Sequence, residues 1–169
     1  MYLKSSSFKE GGQIPKKYSC QGENVSPPLN WGDMPEGTES LMLLVFDKDI
    51  PASFLPLMTI DHWVVYNIPP EVTEFKEGLP EVEKLENGAS QGINRKGDFS
   101  YTGPCPPFGT HQYHFELYAL NKKLEIESKK AIKDKLLDLA KENVIQKVEL
   151  KANYRHQKIG VLGVTHLLF

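Results

Sequence analysis

The stretch that most restricts the fold of this chain runs from position 92 to 120 and reads GINRKGDFSYTGPCPPFGTHQYHFELYAL. Its first half contains four glycines, which can adopt positive φ, and three prolines, which fix φ at about −65° and donate no backbone hydrogen bond. An α-helix cannot pass through such a segment. We therefore expect a stiff loop that ends near Gly109.

After Gly109 the pattern changes to an alternation that is typical of a β-strand. One face would carry His111, Tyr113, Phe115 and Leu117, and the other Gln112, His114, Glu116 and Tyr118. A stiff loop that feeds a histidine into a strand can hold a binding group still, because the scaffold has already met the ordering cost. The alternative is a structural loop followed by a surface histidine, and the spacing alone does not decide between the two.

An ordered series of residues in this stretch matches a known signature. The series is Asn94, Gly97, Tyr101, Gly103, Pro104, Pro106, Pro107, Gly109, His111 and Tyr113. It resembles the phosphatidylethanolamine-binding proteins, the family that includes the Raf kinase inhibitor protein, and especially the short bacterial and archaeal branch. The family usually has Arg directly after this histidine, whereas this chain has Gln112, which carries no charge.

Size and charge restrict the function classes. The chain has 169 residues, of which 40% are hydrophobic, enough for one domain with its own core. The formal net charge is −2 and no basic run occurs, so we expect no nucleic-acid partner. We see neither a signal-like leader nor a run of about 18 apolar residues, which predicts a cytoplasmic protein without a membrane span.

The two cysteines, Cys20 and Cys105, are far apart in the sequence. Because cytosolic thiols are normally reduced, we expect free thiols, although the sequence does not exclude a disulfide. Cys105 lies between prolines, and we expect it to fill space in the loop rather than to act as a nucleophile.

The remaining pattern is rich in short strands. We predict an edge strand over residues 3–8, a short extended piece at Leu29 and Trp31, a central strand over 40–46, a strand over 62–68 and a last strand over 144–151. Residues 52–61 are predicted to be a linker and residues 71–91 an exposed connection. One amphipathic helix, capped by Ser128, is predicted to end near residue 142.

Two carboxylates, Asp47 and Asp49, follow the predicted central strand. Such a pair could bind a metal, hold a base or orient a histidine, although most pairs of this kind are solvated turn residues. With Pro51 they resemble the Asp-Pro-Asp-x-Pro motif of the family, in which Lys48 replaces the first proline. His62 begins the segment HWVVYNIPP, which is similar to the bacterial branch, where this histidine lines the pocket. The alternative for His62 is a core histidine bonded to one backbone carbonyl.

The resemblance covers about residues 1–155 of the expected single domain, 1–169, and leaves an atypical apolar tail at 158–169. That tail could form a strand or dock on the domain or on a second subunit. Both the strand pattern and the resemblance predict a mainly β protein, an antiparallel β-sandwich with one or two peripheral helices, and the resemblance implies Greek-key order. It also implies a pocket at one end, formed by Asp47, Asp49, His62, Tyr101, Gly103, Pro104, His111 and Tyr113.

A pocket of this composition predicts a small-anion or phosphate-ester site. The carboxylates would orient the histidines, whose protonated rings would donate to an anionic oxygen. No Ser or Cys is placed with a His and a third orienting group, so we predict no catalytic residue, and also no metal and no cofactor.

Two alternatives remain open. One is a metal-dependent hydrolase in which Asp47, Asp49, His62 and His111 ligate zinc. The other follows from the resemblance alone: an inhibitor of a kinase or a serine protease that acts by contact with a protein partner. Bacterial relatives that the chain resembles can be homodimers.

Overall fold

The structure is a computed structural model and describes residues 1–156. Its strands are β1 (Tyr2–Lys4), β2 (Leu29–Gly32), β3 (Ser40–Ala52), β4 (Leu55–Ile68), β5 (Glu74–Phe75), β6 (Ser90–Gln91), β7 (Thr110–Leu120) and β8 (Val144–Arg155). Two 3₁₀-helices cover Lys16–Tyr18 and Ser128–Lys130, and one α-helix, α1, covers Lys133–Ala140. Within residues 1–156, no helix is long and apolar enough to cross a membrane. The predicted tail at 158–169 lies outside the described residues.

The strands form two antiparallel sheets, which confirms the mainly β sandwich. The smaller sheet has the order β1-β2-β5, and the larger has the order β6-β4-β3-β7-β8. β3 is the central strand, as its unbroken apolar run predicts, and Leu41 to Leu44 are fully buried because both faces of the sheet are covered there.

Alternate residues of the large sheet pack into two different cores. One face packs against the small sheet and carries Leu43, Val45, Trp63, Phe115 and Leu117, together with Trp31 from β2. The opposite face packs under α1 and the segment that precedes it, and carries Met42, Leu44, Phe46 and Tyr66. The predicted alternation of β7 is confirmed, because His111, Tyr113, Phe115 and Leu117 are all almost completely buried.

The predicted helix is shorter than expected, and its cap was assigned to the wrong residue. Ser128 lies in a 3₁₀-helix, where its hydroxyl is 3.0 Å from the hydroxyl of Tyr66. That hydroxyl is therefore occupied, and the N-cap position of α1 falls to Ile132, which offers no side-chain hydrogen bond. Leu136 and Ala140 form the buried side of α1, whereas Ile132 and Leu139, which we expect on the same apolar face, are exposed.

The prediction of a linker over residues 52–61 was wrong. β3 and β4 continue into a hairpin in which Ile50 pairs with Met58, Pro51 with Pro56 and Ala52 with Leu55. Proline is accepted in a strand that has a free edge, and this is why Pro56 does not end β4. The exposed connection at 71–91 was also too simple, since it contains β5 and β6 and buries Phe75, Leu85 and Ala89.

The expectation of free thiols was also wrong. Cys20 and Cys105 form a disulfide, with their Cα atoms 5.4 Å apart across 85 positions of sequence. The backbone N–H of Cys20 donates to the carbonyl of Pro104, so the two segments already lie side by side. Cys105 is exposed and does not fill space in the loop. The fold brings the two cysteines together, and their spacing in the sequence does not predict this contact.

Loss of this disulfide should destabilise the protein, since a cross-link over 85 positions restricts the unfolded chain. We expect the Cys20→Ser/Cys105→Ser variant to lose about 2–4 kcal/mol in the free energy of unfolding, measured in urea without reductant. Wild-type protein in reductant should lose the same amount, because it lacks the same bond. Equal stability of reduced and oxidised wild-type protein would contradict the prediction.

Candidate functional site

A buried histidine–carboxylate pair lies where β7 begins beside β3. His111 Nδ1 is 2.6 Å from Asp47 Oδ2, and both side chains are 1% exposed. The register of the two strands, in which Asp47 lies opposite Tyr113, brings the carboxylate to the ring. Because an ionised carboxylate only accepts hydrogen bonds, Nδ1 carries the hydrogen and donates it.

The other ring nitrogen of His111 has no hydrogen-bond partner among residues 1–156. Nε2 is buried and forms no hydrogen bond with residues 1–156. Leaving a buried polar atom unpaired costs about 1–3 kcal/mol, so native structures seldom do so without a functional reason. His111 thus has one nitrogen fixed by Asp47 and one available to a group that is not part of residues 1–156.

The second carboxylate fixes the start of β7. The backbone N–H of Asp49 donates to Asp47 Oδ1 at 2.7 Å, and Asp49 Oδ2 accepts the backbone N–H of Gln112 at 2.9 Å. Asp47 therefore holds the ring of His111, and Asp49 holds the backbone of the next residue. Of the roles left open by the sequence, this geometry favours that of orienting a histidine.

His62 lies close to the pair but has a different partner. Its Nδ1 is 2.6 Å from the carbonyl oxygen of Thr102, so Nδ1 carries a hydrogen and donates it. The ring meets that of Tyr113 edge-on, with centroids 5.2 Å apart. Burial lowers the pKa of His62 to about 4. His62 is therefore neutral near pH 7, and its Nε2 holds a lone pair that can accept a hydrogen bond.

Tyr113 is buried, with its ring against that of His62, and its phenol remains neutral. Burial raises the pKa of Tyr113, and the carboxylate of Asp47 raises it further. The phenol therefore keeps its proton at neutral pH and can donate a hydrogen bond.

Three predicted site residues use their polar groups in hydrogen bonds to the segment that contains Tyr18. The Tyr101 hydroxyl donates to the carbonyl of Tyr18 at 2.7 Å, and the N–H of Gly103 donates to Asn24 Oδ1 at 2.8 Å. A Cβ at Gly103 would lie 2.1 Å from the Tyr18 carbonyl oxygen, which leaves room only for glycine. Pro104 accepts from Cys20. These three residues therefore have a structural role and hold the loop beside the histidines in place.

Sequence reasoning missed Arg95. Its positive charge adds to the effect of burial in lowering the pKa of His62, and it partly opposes the rise in the pKa of Tyr113, so its charge acts on the site. The N–H of Arg95 donates to the carbonyl of Asp61, one residue before His62, which fixes its backbone beside β4. The signal for this residue was its position directly after Asn94 of the matched series.

The geometry gives the metal alternative no support within residues 1–156, where no three His, Cys, Asp or Glu side chains are placed to share an ion. Both Nδ1 atoms are already used, by Asp47 and by Thr102. What the site offers instead is an unpaired ring nitrogen, a neutral ring acceptor, a phenol and a nearby guanidinium.

Comparison with known proteins identifies relatives over almost the whole described chain. The family model "Phosphatidylethanolamine-binding protein" matches residues 4–155. A UPF0098 protein of Methanothermobacter thermautotrophicus is 41% identical over 155 residues, which are 92% of this chain and 99% of that protein. A UPF0098 protein of Chlamydia muridarum is 40% identical, over 91% of this chain and 98% of the relative.

Solved structures with a similar fold include members of the same family. A protein of Chlamydia trachomatis, described as a putative phosphatidylethanolamine-binding protein homologue, superposes with a TM-score of 0.81 at 39% identity, over 92% of this chain and 97% of its own. Escherichia coli YbcL, described as a member of the mammalian family, superposes with a TM-score of 0.80 at 30% identity, over 92% and 98%. A carboxypeptidase Y inhibitor in complex with its proteinase, at 18% identity and a TM-score of 0.54, shares the fold alone.

The lowered pKa of His62 makes a prediction about stability. The unfolded chain takes up a proton near pH 6.5, whereas folded His62 does so only at about pH 4. The stability that comes from burying the neutral ring is therefore lost as pH falls between these values, by up to about 3 kcal/mol. We expect the difference in unfolding free energy between wild type and His62→Gln to shrink over this range in urea titrations.

The exposed ring of His156 provides the matched control. The His156→Gln variant should follow the wild-type pH profile. A wild-type minus His62→Gln difference that stayed constant between about pH 7 and about pH 4.5 would contradict burial of a neutral His62.

Proposed function

Because this chain belongs to the phosphatidylethanolamine-binding protein family, we propose that it binds a small anionic or phosphorylated ligand at the His111 site. The observation that carries the proposal is the buried, unpaired Nε2 of His111. A ligand oxygen that accepts from this nitrogen would remove the cost of leaving it without a partner.

The charge on Asp47 favours an anion as that ligand. Asp47 holds the Nδ1–H of His111, so Nε2 donates to a ligand only when the ring takes up a second proton, which an anionic oxygen beside Nε2 would favour. Hydrogen bonds between charged partners are about twice as strong as neutral ones. Asp47 therefore supports ligand binding by holding the proton and the orientation of the ring, without contact with the ligand.

His62 adds a preference for a protonated oxygen. Its Nε2 lone pair can only accept, and its pKa of about 4 keeps it so near neutral pH. His111 as donor and His62 as acceptor together match an oxyanion that also carries a hydroxyl. A phosphate monoester can present both groups, because its second ionisation is near pH 6, whereas a diester has no P–OH. We therefore propose a phosphomonoester, or a similar small acid, as the preferred ligand class.

Arg95 contributes to the attraction of an anion. Its charge acts on His62 and on Tyr113, so it lies near the site. Other members of the family usually have Arg directly after the histidine, at the position of Gln112 in this chain. A fixed positive charge near a partly enclosed site raises the local concentration of anions. The guanidinium of Arg95 thus supplies a cation that Gln112 does not.

The other expected functions have less support from the site geometry. Inhibition of a kinase or a protease, and a homodimer or other protein partner that serves regulation, stay predictions that derive from family resemblance. A cytoplasmic location also stays a prediction, and the Cys20–Cys105 disulfide is the feature that argues against it. A metal-dependent hydrolase finds no ligand cluster within residues 1–156.

The proposal predicts that phosphorylethanolamine binds the metal-free protein and that His111→Gln weakens this binding. A hydrogen bond to a charged group contributes about 1.5–3 kcal/mol, so the dissociation constant should rise about 10- to 150-fold in isothermal titration. The exposed His156→Gln variant should bind as wild type. Equal affinity of wild type and His111→Gln would remove His111 from the ligand site.

Two further titrations separate the alternatives. Glycerophosphorylethanolamine, a diester, should bind more weakly than the monoester if His62 accepts from P–OH, and His62→Phe should remove that difference. Tight binding of zinc, with no phosphate-ester binding until zinc is restored, would replace the anion site by a metal site.

A further inference from the structure

The Cys20–Cys105 disulfide joins the loop before β7 to the segment that contains Tyr18. Both cysteines are exposed, and the chain contains no other cysteine. A small dithiol can therefore reach the bond, and no third thiol of the chain competes for either sulfur. Exposed disulfides are reduced more readily than buried ones and are more often regulatory. The bond is thus a candidate for reversible reduction in the folded protein.

The loop that carries Cys105 connects the partner of one site histidine to the other site histidine. At its start, His62 Nδ1 donates to the Thr102 carbonyl at 2.6 Å, and the Thr102 N–H donates to the His62 carbonyl at 2.9 Å. At its end, the loop leads into β7 and His111. Cys105 lies between Thr102 and His111, so the disulfide holds the middle of this connection.

The disulfide is the covalent anchor of residues 105–109. Within residues 1–156, no backbone hydrogen bond joins residues 105–109 to another backbone group. Pro106 and Pro107 have no N–H to donate, and they keep the segment stiff because they fix φ. Of these residues, only Pro106 is buried. Opening the bond at Cys105 would therefore release a stiff piece of chain directly before β7.

Cys20, in contrast, lies on a segment that is held firmly. The hydroxyl of the preceding residue, Ser19, is 2.8 Å from the hydroxyl of Tyr154, and both side chains are buried. Tyr154 in turn lies opposite His111 in the register of β7 and β8. When the disulfide opens, the Cys20 segment therefore keeps its place, and residues 105–109 are the part that is released.

We propose that the Cys20–Cys105 disulfide is a redox switch for the ligand site. This inference rests on the proposed function of that site. In the disulfide form, the loop is already held in the arrangement that aligns His62, so the ligand binds without ordering it. In the dithiol form, binding has to order residues 105–109 as well, which lowers the affinity.

The switching step is a thiol–disulfide exchange with a dithiol. One thiolate of the dithiol attacks a sulfur of the Cys20–Cys105 bond, which breaks and leaves a mixed disulfide and one cysteine thiolate. The second thiolate of the reagent then attacks the mixed disulfide and releases the other cysteine. The protein gains two electrons and two protons, and the dithiol is oxidised to a disulfide.

The switch has a reciprocal consequence for the reduction of the protein. A reduction that weakens ligand binding by a given factor is itself made less favourable, by the same factor, when ligand saturates both forms. A factor of about 10 corresponds to a reduction potential that is lower by about 30 mV. A disulfide that only stabilises the fold produces neither effect in the folded protein.

Isothermal titration of the full chain with phosphorylethanolamine, with and without dithiothreitol, tests the switch. Reduced protein, whose two thiols are confirmed with a thiol-reactive dye, should bind about 5- to 50-fold more weakly. Cys20→Ser/Cys105→Ser should bind like reduced wild type and should not respond to dithiothreitol. The matched control is Leu136→Ala, which loses core packing under α1 but should bind like oxidised wild type.

A redox titration gives a second readout that needs no cysteine variant. Saturating phosphorylethanolamine should lower the reduction potential of wild type. His111→Gln should show no such shift at a concentration that saturates only wild type. An identical wild-type potential with and without phosphorylethanolamine overturns the switch.

The outcomes separate the switch from the proposed function. Equal affinity of the folded oxidised and reduced proteins overturns the switch and leaves the proposed ligand site intact. Unfolding of the reduced protein, seen by circular dichroism, also overturns the switch, because lost binding then reports a lost fold. Absence of phosphorylethanolamine binding to both forms overturns the proposed function, and the switch with it.

Discussion

The hydrogen bond between His111 and Asp47 is the interaction on which the candidate site depends. Both groups are buried, and taking a charge out of water is costly unless the charge is paired and its remaining oxygen atoms are bonded. Asp47 meets this requirement, since one oxygen accepts from His111 and the other from the N–H of Asp49. The N–H of Asp49 belongs to the backbone, so any residue other than proline at this position would keep that bond, whereas loss of the Asp49 carboxylate would free the N–H of Gln112.

Two departures from the family motif are compatible with this arrangement. Lys48 lies between the two carboxylates, and its ammonium is 5.1 Å from the centre of the Phe46 ring, on the opposite face of β3 from Asp47. Gln112 contributes its backbone N–H to Asp49, and any residue other than proline could do the same. Neither change removes a hydrogen bond that orients His111.

Features governed by local period could be predicted from the sequence. The apolar run of β3 and the alternation of β7 follow from side-chain direction alone, and both are present. The family signature added which residues belong to the site, and the structure brings Asp47 to His111 and His62 to Tyr113. The different hydrogen-bond partners of His111 and His62 could not be predicted from sequence spacing, because they depend on burial and on which backbone carbonyls lie nearby.

Features that depend on distant contacts were missed. Ser128 bonds to Tyr66, 62 positions away, and is thereby lost as a helix cap. Cys20 meets Cys105 because the loop before β7 packs on the segment after Tyr18. Pro56 suggested a linker, since the sequence does not show that β4 has a free edge at that point. In each case the missing information is which segments the fold makes neighbours.

A single strand, β3, passes through three environments. It begins in the fully buried centre of the sheet, carries Asp47 and Asp49 where β7 begins, and ends in the hairpin with β4, whose outer edges pair with no other strand of residues 1–156. Protection of its amide groups from exchange with solvent should fall along this one strand, from values set by global unfolding to values set by fraying. The two carboxylates lie at the boundary, where the buried part of this strand meets its exposed end.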